Sequence, residues 1–447
     1  MERQAVSSSN IASVGYDPNS ETLEVEFLKS GKVYDSGKGS GLLFQDYGKG
    51  SPQFGSVVTT PTHNENIPNV ETQTIDISAT SLLGGYDAEI AGPNPWTPGR
   101  LASAAPGYLK GQGASLSEKA QIQVLGRVVH AYTDSSTSAG EFATGRKAYN
   151  NGVNVTDDGA FIPTLFQQLQ DKGWKVGTVT SVPFPHASPA AMYAHNVHRD
   201  DYQDLGRDML GLSSVAQELN KEPSHPGLDV VIGTGFGKTF TAEALTKAKF
   251  KDVAGANAVD GNVFITAADL AAIDLRHGGK YVVVHTEAGV EGASALNSAA
   301  AIAAKGEHRL FGFFGGAGFD HLPYQTANGD FKPTPSLKGT FETYSKADLR
   351  QNPKLADMTD AALTVLAASG KPFALFVEAG DVDWGLHDNN LDTAVGAVFS
   401  GEDAVARIIK WVETHSNWDD SALIVTSDHG HYLVIDDPKA LIGTPRP

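Results

Sequence analysis

The 447-residue chain contains no cysteine, which excludes disulfides and every zinc site built on thiolates. Any metal it holds must sit on imidazole, carboxylate and hydroxyl groups, the nitrogen and oxygen donors that suit zinc and magnesium. No apolar run approaches the ~20 residues of a membrane-spanning helix, so no membrane is expected as a partner. The opening stretch, Met1 to Ser9, lacks the apolar core of a signal peptide; a chain with this start is expected to stay in the cytoplasm. Basic residues are also scarce, 34 Lys and Arg against 52 Asp and Glu for a net charge of −18. A nucleic-acid backbone needs basic surface, so nucleic acid is not expected as a partner. The apolar fraction of 40% is ordinary for a globular protein. The length admits ~2–3 domains or one elaborated α/β domain.

The first residues differ from the rest. Ile11–Tyr16 and Leu23–Phe27 read as strands on either side of an Asp-Pro-Asn-Ser turn, and Lys32–Tyr34 as a third, a small β-meander. Residues 40–120 are rich in Gly, Pro, Ser and Thr and suggest loops and short strands. Beyond Phe161 helices and apolar strands alternate. Thr164–Lys172 and Glu402–Glu413 read as helices. Lys175–Thr180, Leu228–Ile232, Lys280–His285, Phe373–Val377 and Ala422–Thr426 read as strands, the last two buried. Such alternation predicts an α/β fold, a mainly parallel sheet with helices on both faces, in which ligands gather beyond the carboxyl ends of the strands. Residues 240–340, Ala-rich and Gly-rich by turns, read as an insertion or cap.

The chemistry concentrates in three places. Asp134-Ser135-Ser136 opens a stretch of small residues that predicts a helix running to about Tyr149. One of the three can simply cap it, but a hydroxyl at a helix N-terminus also faces exposed N–H groups that favour a phosphate. No His adjoins Ser135 in sequence, so a metal ion is the expected means of ionising it. Glu378, Asp383 and His387 follow the strand Phe373–Val377, with Asp383 and His387 four apart and so on one face of a helical turn. Asp428 and His429 follow Ala422–Thr426. A fourth stretch, Ile232–Thr239, imitates a phosphate-binding loop, but Gly is absent where the spacing requires it, and a glycine turn after a strand is the better reading.

Together these segments resemble alkaline phosphatases. The run TDSSTSAGEFATGRKAYN matches that family's nucleophile segment; Val377-Glu378, Asp383 and His387 match its metal segment. Val425 to His431 matches its Asp-His segment, and HASPAAMYAHNVHRDDY resembles its Pro-Ala-Ala…His…Arg stretch. The resemblance runs from about residue 41 to about residue 441. It implies hydrolysis of phosphate monoesters through a phosphoserine on Ser135, with Arg199 gripping two phosphate oxygens. It implies two zinc ions, one on Asp383 and His387 and one on Asp428 and His429, and a magnesium ion near Glu378 and Ser188. Asp134, His186 and His431 would stand beside these groups. Small phosphate esters and inorganic phosphate are the implied partners, a homodimer the implied assembly, and the periplasm or cell exterior the family's usual setting. The segment SSNIASVGYDPNSETLEVEF resembles the first half of a KTSC domain, which places a junction near residue 38: residues 1–38 would be that partial module and 39–447 the phosphatase-like domain.

The chain departs from the pattern twice. The family's Asp-Gly-Met-Gly-like segment, whose Asp bridges zinc and magnesium, is absent, with Asp46 and Asp87 as substitutes by position. The family's last zinc-ligand His is also absent, and His431 lies too near Asp428 to replace it. Two readings therefore remain at this point: a metal-dependent phosphomonoesterase, and a non-catalytic fragment or fusion that keeps the fold. A sulfatase would want Cys or Ser followed by x-Pro-x-Arg, which Ser135 does not offer.

Overall fold

A computed structural model describes residues 3–5, 11–17, 22–27, 33–35, 134–146, 152–156, 160–238, 262–316, 320–335, 342–388 and 390–429. All of 40–120, and with it Asp46 and Asp87, lies outside them, as does His431. The N-terminal strands are β1 (Arg3–Ala5), β2 (Ile11–Asp17), β3 (Thr22–Phe27) and β4 (Val33–Asp35). They form one antiparallel sheet in the order β1-β2-β3-β4. The expected meander is present, with β1 added to its edge.

The second sheet contains β5 (Lys175–Pro183), β6 (Val230–Thr234), β7 (Tyr281–His285), β8 (Arg309–Phe313) and β9 (Phe373–Glu378). Its order is β7-β8-β6-β5-β9 and every pair is parallel. Successive strand residues reach opposite faces, and the cores follow that rule. Val176, Val231, Phe311 and Phe313 join one buried cluster; Val179, Val230, Ile232 and Leu310 join the other. The first cluster is closed by α1 (Ser135–Thr144), α2 (Leu165–Asp171), α3 (Ala187–Ala191) and α4 (Tyr202–Leu210), with α5 (Val215–Asn220) and α6 (Ala267–Ile273) following α4 in the chain. The second is closed by α7 (Gly292–Gly306) and α9 (Leu355–Ala367), which the short α8 (Lys346–Gln351) precedes. After β9 come α10 (Asp381–His387) and the long α11 (Leu391–His415).

Several expectations need correction. Ala422–Thr426 is not a strand: it pairs with no neighbour among the described residues, and Ile424 is 70% exposed. An apolar run becomes a strand only where another strand's edge takes up its N–H and C=O groups. Phe373–Val377 is a strand but only half-buried: among the described residues β9 is the sheet's edge, with β5 as its one partner. Residues 281–313 lie inside the expected insertion yet supply β7 and β8 to the sheet. Helix α1 stops at Thr144 rather than near Tyr149, because Gly145 adopts φ +69 and its N–H closes back on Glu141, the usual glycine stop. Helix α11 begins eleven residues before the expected Glu402, where Asn390 caps it by accepting the Thr393 N–H.

Candidate active site

The chain order places β6 on one side of β5 and β9 on the other, so the switch point of the described sheet lies between β5 and β9, the place where ligands gather in open α/β sheets. Thr180 and Glu378 are paired in register across that junction. The Thr180 hydroxyl donates to Glu378 Oε2 at 2.5 Å, and Ser188, at the start of α3, adds a second hydrogen bond. Burial, together with the nearby Asp428 and Asp383 carboxylates, pushes Glu378 up to about 7 in spite of those hydrogen bonds. Three carboxylates crowded at one strand end repel one another, and a cation among them would relieve that repulsion.

Asp134 caps α1, accepting from the Ser136 N–H at 3.1 Å, from the Ser136 hydroxyl at 2.6 Å and from Thr137 Oγ1 at 2.5 Å. The same carboxylate accepts from Arg199 Nη1 at 3.0 Å. Burial works against the Arg199 charge, but Asp134 and Asp200 hold the guanidinium above its ordinary range. Ser135, first in the helix, has Oγ 2.9 Å from His429 Nε2. Three residues on, Ser138 donates to Asp428 Oδ2 at 3.1 Å. His429 Nε2 also lies 3.4 Å from Asp383 Oδ1, which is 3.6 Å from His387 Nε2.

Segments far apart in sequence thus meet. Ser135, Asp383, His387, Asp428 and His429 form one chain of contacts, Glu378 and Ser188 a second at the end of β9, and Asp134 with Arg199 a third. Although Ala422–Thr426 is not a strand, it still delivers Asp428 and His429 to α1. His186, capping position of α3, stacks on Tyr202 at 5.7 Å and meets Trp384 edge-on at 5.5 Å. Burial and the Arg199 charge push it down to about 4, so it is neutral. The nitrogen and oxygen donors fit zinc or magnesium in kind. Among the described residues, no three His, Asp or Glu side chains already converge as a cation cage.

Sequence reasoning passed over Thr180 and Ser138. Both carried a usable signal: Thr180 lies at the carboxyl end of a buried strand, and Ser138 follows Ser135 by three on one helix face. Trp384 and His321, whose rings meet edge-on, carried none.

A parallel sheet with helices on both faces, and a serine at a helix N-terminus beside His and Asp groups, makes this a protein of the α/β class. The chain belongs to the alkaline phosphatase family, whose model matches residues 121–441, and a KTSC domain model matches residues 7–35. Alkaline phosphatase of Escherichia coli is 26% identical over 357 residues, 76% of this chain and 69% of that protein. Streptomycin-6-phosphate phosphatase of Streptomyces griseus is 26% identical over 364 residues, 78% of this chain and 72% of that protein. Alkaline phosphatase 4 of Bacillus subtilis is 24% identical, and the chain spans 49% of its length. Among solved structures, a cold-active alkaline phosphatase from Shewanella sp. matches with TM-score 0.39 and 20% identity over 63% of this chain and 51% of that one. The Thermus thermophilus alkaline phosphatase matches with TM-score 0.41 and 24% identity over 63% and 46%.

Proposed function

We propose that the chain hydrolyses small phosphate monoesters through a phosphoserine on Ser135, releasing an alcohol and inorganic phosphate. The observation that carries this reading is Ser135 Oγ at the N-terminus of α1, 2.9 Å from His429 Nε2, with the Asp134–Arg199 pair beside it. Ser135 Oγ and His429 Nε2 share a hydrogen bond whose direction follows the His429 tautomer, and that contact holds the serine oxygen at the head of α1. The positive end of the α1 dipole favours the anionic ester, and the planar Arg199 guanidinium suits bidentate contact with two of its oxygens. Ser135 Oγ then forms the bond to phosphorus as the ester P–O bond breaks, and the proton that Ser135 gives up leaves on the departing alcohol oxygen. Water reverses the exchange, breaking the P–Oγ bond and regenerating the serine.

Asp383, His387, Asp428, His429, Glu378 and Ser188 are the residues that would hold two zinc ions and one magnesium ion. When bound, such ions would supply the charge that lowers the hydroxyl pKa and neutralises the ester oxygens. Glu378, crowded by other carboxylates and pushed up to about 7, is the group whose state this would change most.

A second reading, that the chain keeps the fold and binds phosphate without turning over, draws on the absence of a preformed cage among the described residues. Turnover of p-nitrophenyl phosphate with zinc and magnesium supplied decides between them. Hydrolysis that Ser135→Ala reduces on the order of 10³-fold or more supports catalysis. Equal background rates in both proteins support the second reading.

A further inference from the structure

Helix α10, which carries Asp383 and His387, has seven residues, too few to hold its own position. Its first residue, Asp381, is buried. The Asp381 N–H donates to Ser181 Oγ at 3.3 Å, and that hydroxyl also bonds the Asp381 carboxylate. The Ser181 carbonyl accepts from Leu322 N–H at 2.8 Å. One residue of β5 therefore ties α10 to the loop that begins at His321. The two are joined again by rings: His321 stacks on Tyr324 at 3.8 Å and meets Trp384 of α10 edge-on at 5.4 Å.

The hydrogen-bond partners of His321 decide its charge. Its Nδ1 lies 2.6 Å from the Leu322 carbonyl oxygen. Its Nε2 lies 3.2 Å and 3.1 Å from the two oxygens of Glu342. A carbonyl and a carboxylate can only accept, so both ring nitrogens must carry a proton. The Tyr344 hydroxyl donates to Glu342 at 2.6 Å, which helps keep that carboxylate ionised and low in pKa against the cost of burial. The ring is 2% exposed, and a buried cation persists only beside anions. Glu342 contacts it directly and Asp381 acts on it from α10; although burial opposes the charge, the pair raises its pKa. Tyr324 and Tyr344 are both pushed up by burial and stay neutral. Beyond them lies the Lys238–Asp320 pair, 3.1 Å apart.

We propose that His321 is a buried imidazolium, charged across the neutral range, that positions α10 and through it Asp383 and His387. It touches neither substrate nor reacting atoms and acts only as a positioning residue. The kinetic part of this proposal rests on the function proposed above; the charge state does not.

Two arms test it on the full chain. In the first, nitrogen-15 NMR of histidine-labelled protein, with His321→Gln to assign the signals, reads the ring directly. Both nitrogens protonated from roughly pH 6 to pH 8 is the expected result, and a neutral tautomer overturns the proposal. In the second, His321→Gln is expected to lower kcat for p-nitrophenyl phosphate roughly a hundredfold, the scale of a small misplacement of reacting groups, with KM nearly unchanged. The double variant His321→Gln with Glu342→Gln, which removes the imidazolium and the carboxylate it contacts, is expected to recover at least roughly tenfold of that loss, since Glu342 is then no longer left uncompensated. Wild-type kcat in His321→Gln, or no recovery in the double variant, overturns the positioning role. If His321→Gln fails to fold, ring signals assigned by elimination in the wild type still decide the charge. If the wild-type chain hydrolyses no ester, the functional reading fails alone and the NMR arm still judges His321.

Discussion

One carboxylate, Asp134, ties the residue expected to attack to the residue expected to bind phosphate. It caps the helix that presents Ser135 and at the same time pairs with Arg199, so the two groups are registered by a single side chain. Glu378 shows the opposite situation, a buried carboxylate among others of its sign. Its folded-state pKa of about 7 lies above its ordinary 4.5. Between those values the folded chain keeps a proton that the unfolded chain has released, so its contribution to stability is lost as pH rises through that window. In chelator, Glu378→Gln should therefore be more stable than wild type above pH 7 by roughly 1–3 kcal/mol, and the gap should close toward pH 4. Supplying zinc and magnesium should reverse the order if Glu378 helps hold a cation. Thermal melts across pH, with and without metal, check both signs; a pH-independent gap would contradict the assignment.

At the scale of elements, α10 sits tightly against its successor. A Cβ on Gly385 would lie 2.8 Å from the Ala394 backbone nitrogen, so the glycine permits the close approach of α10 and α11. Gly385→Ala should cost about 1–3 kcal/mol and should lower turnover as well, because relief of the clash moves Asp383 and His387. Unchanged activity would show that α10 tolerates displacement. The central strands were legible in sequence because both of their faces are covered, which leaves continuous apolar runs such as Val230-Val231-Ile232. Ala422–Thr426 carries the same kind of run and misled, since nothing local to it reveals whether a neighbouring strand stands ready to pair. The end of α1 was readable at Gly145 and passed over in favour of the longer motif. The chemical residues were legible as motifs: Asp383 and His387 share a face by spacing alone, and Ser135 opens a run of small residues. His321 was not: a single His in a loop gains its charge from Glu342, Asp381 and Leu322, neighbours that folding brings to it.

Across the whole molecule, two sheets of different kind occupy one chain, an antiparallel one before residue 36 and a parallel one from residue 175 onward. The site draws on Asp134 to His429, and no described contact that builds it comes from β1 to β4. Removal of residues 1–38 should leave kcat for p-nitrophenyl phosphate within about twofold, as expected of a separable unit. Loss of turnover in a truncated chain that still melts cooperatively would place the N-terminal sheet within the working protein.

The central claim, that Ser135 carries the phosphoryl group, is tested most directly by trapping it. The chain, loaded with zinc and magnesium and incubated with inorganic phosphate, would be quenched in acid and its peptides mapped by mass spectrometry. One phosphoryl group on Ser135, absent from Ser135→Ala, is the predicted result. A chain that hydrolyses p-nitrophenyl phosphate yet yields no phosphorylated Ser135 would contradict the account.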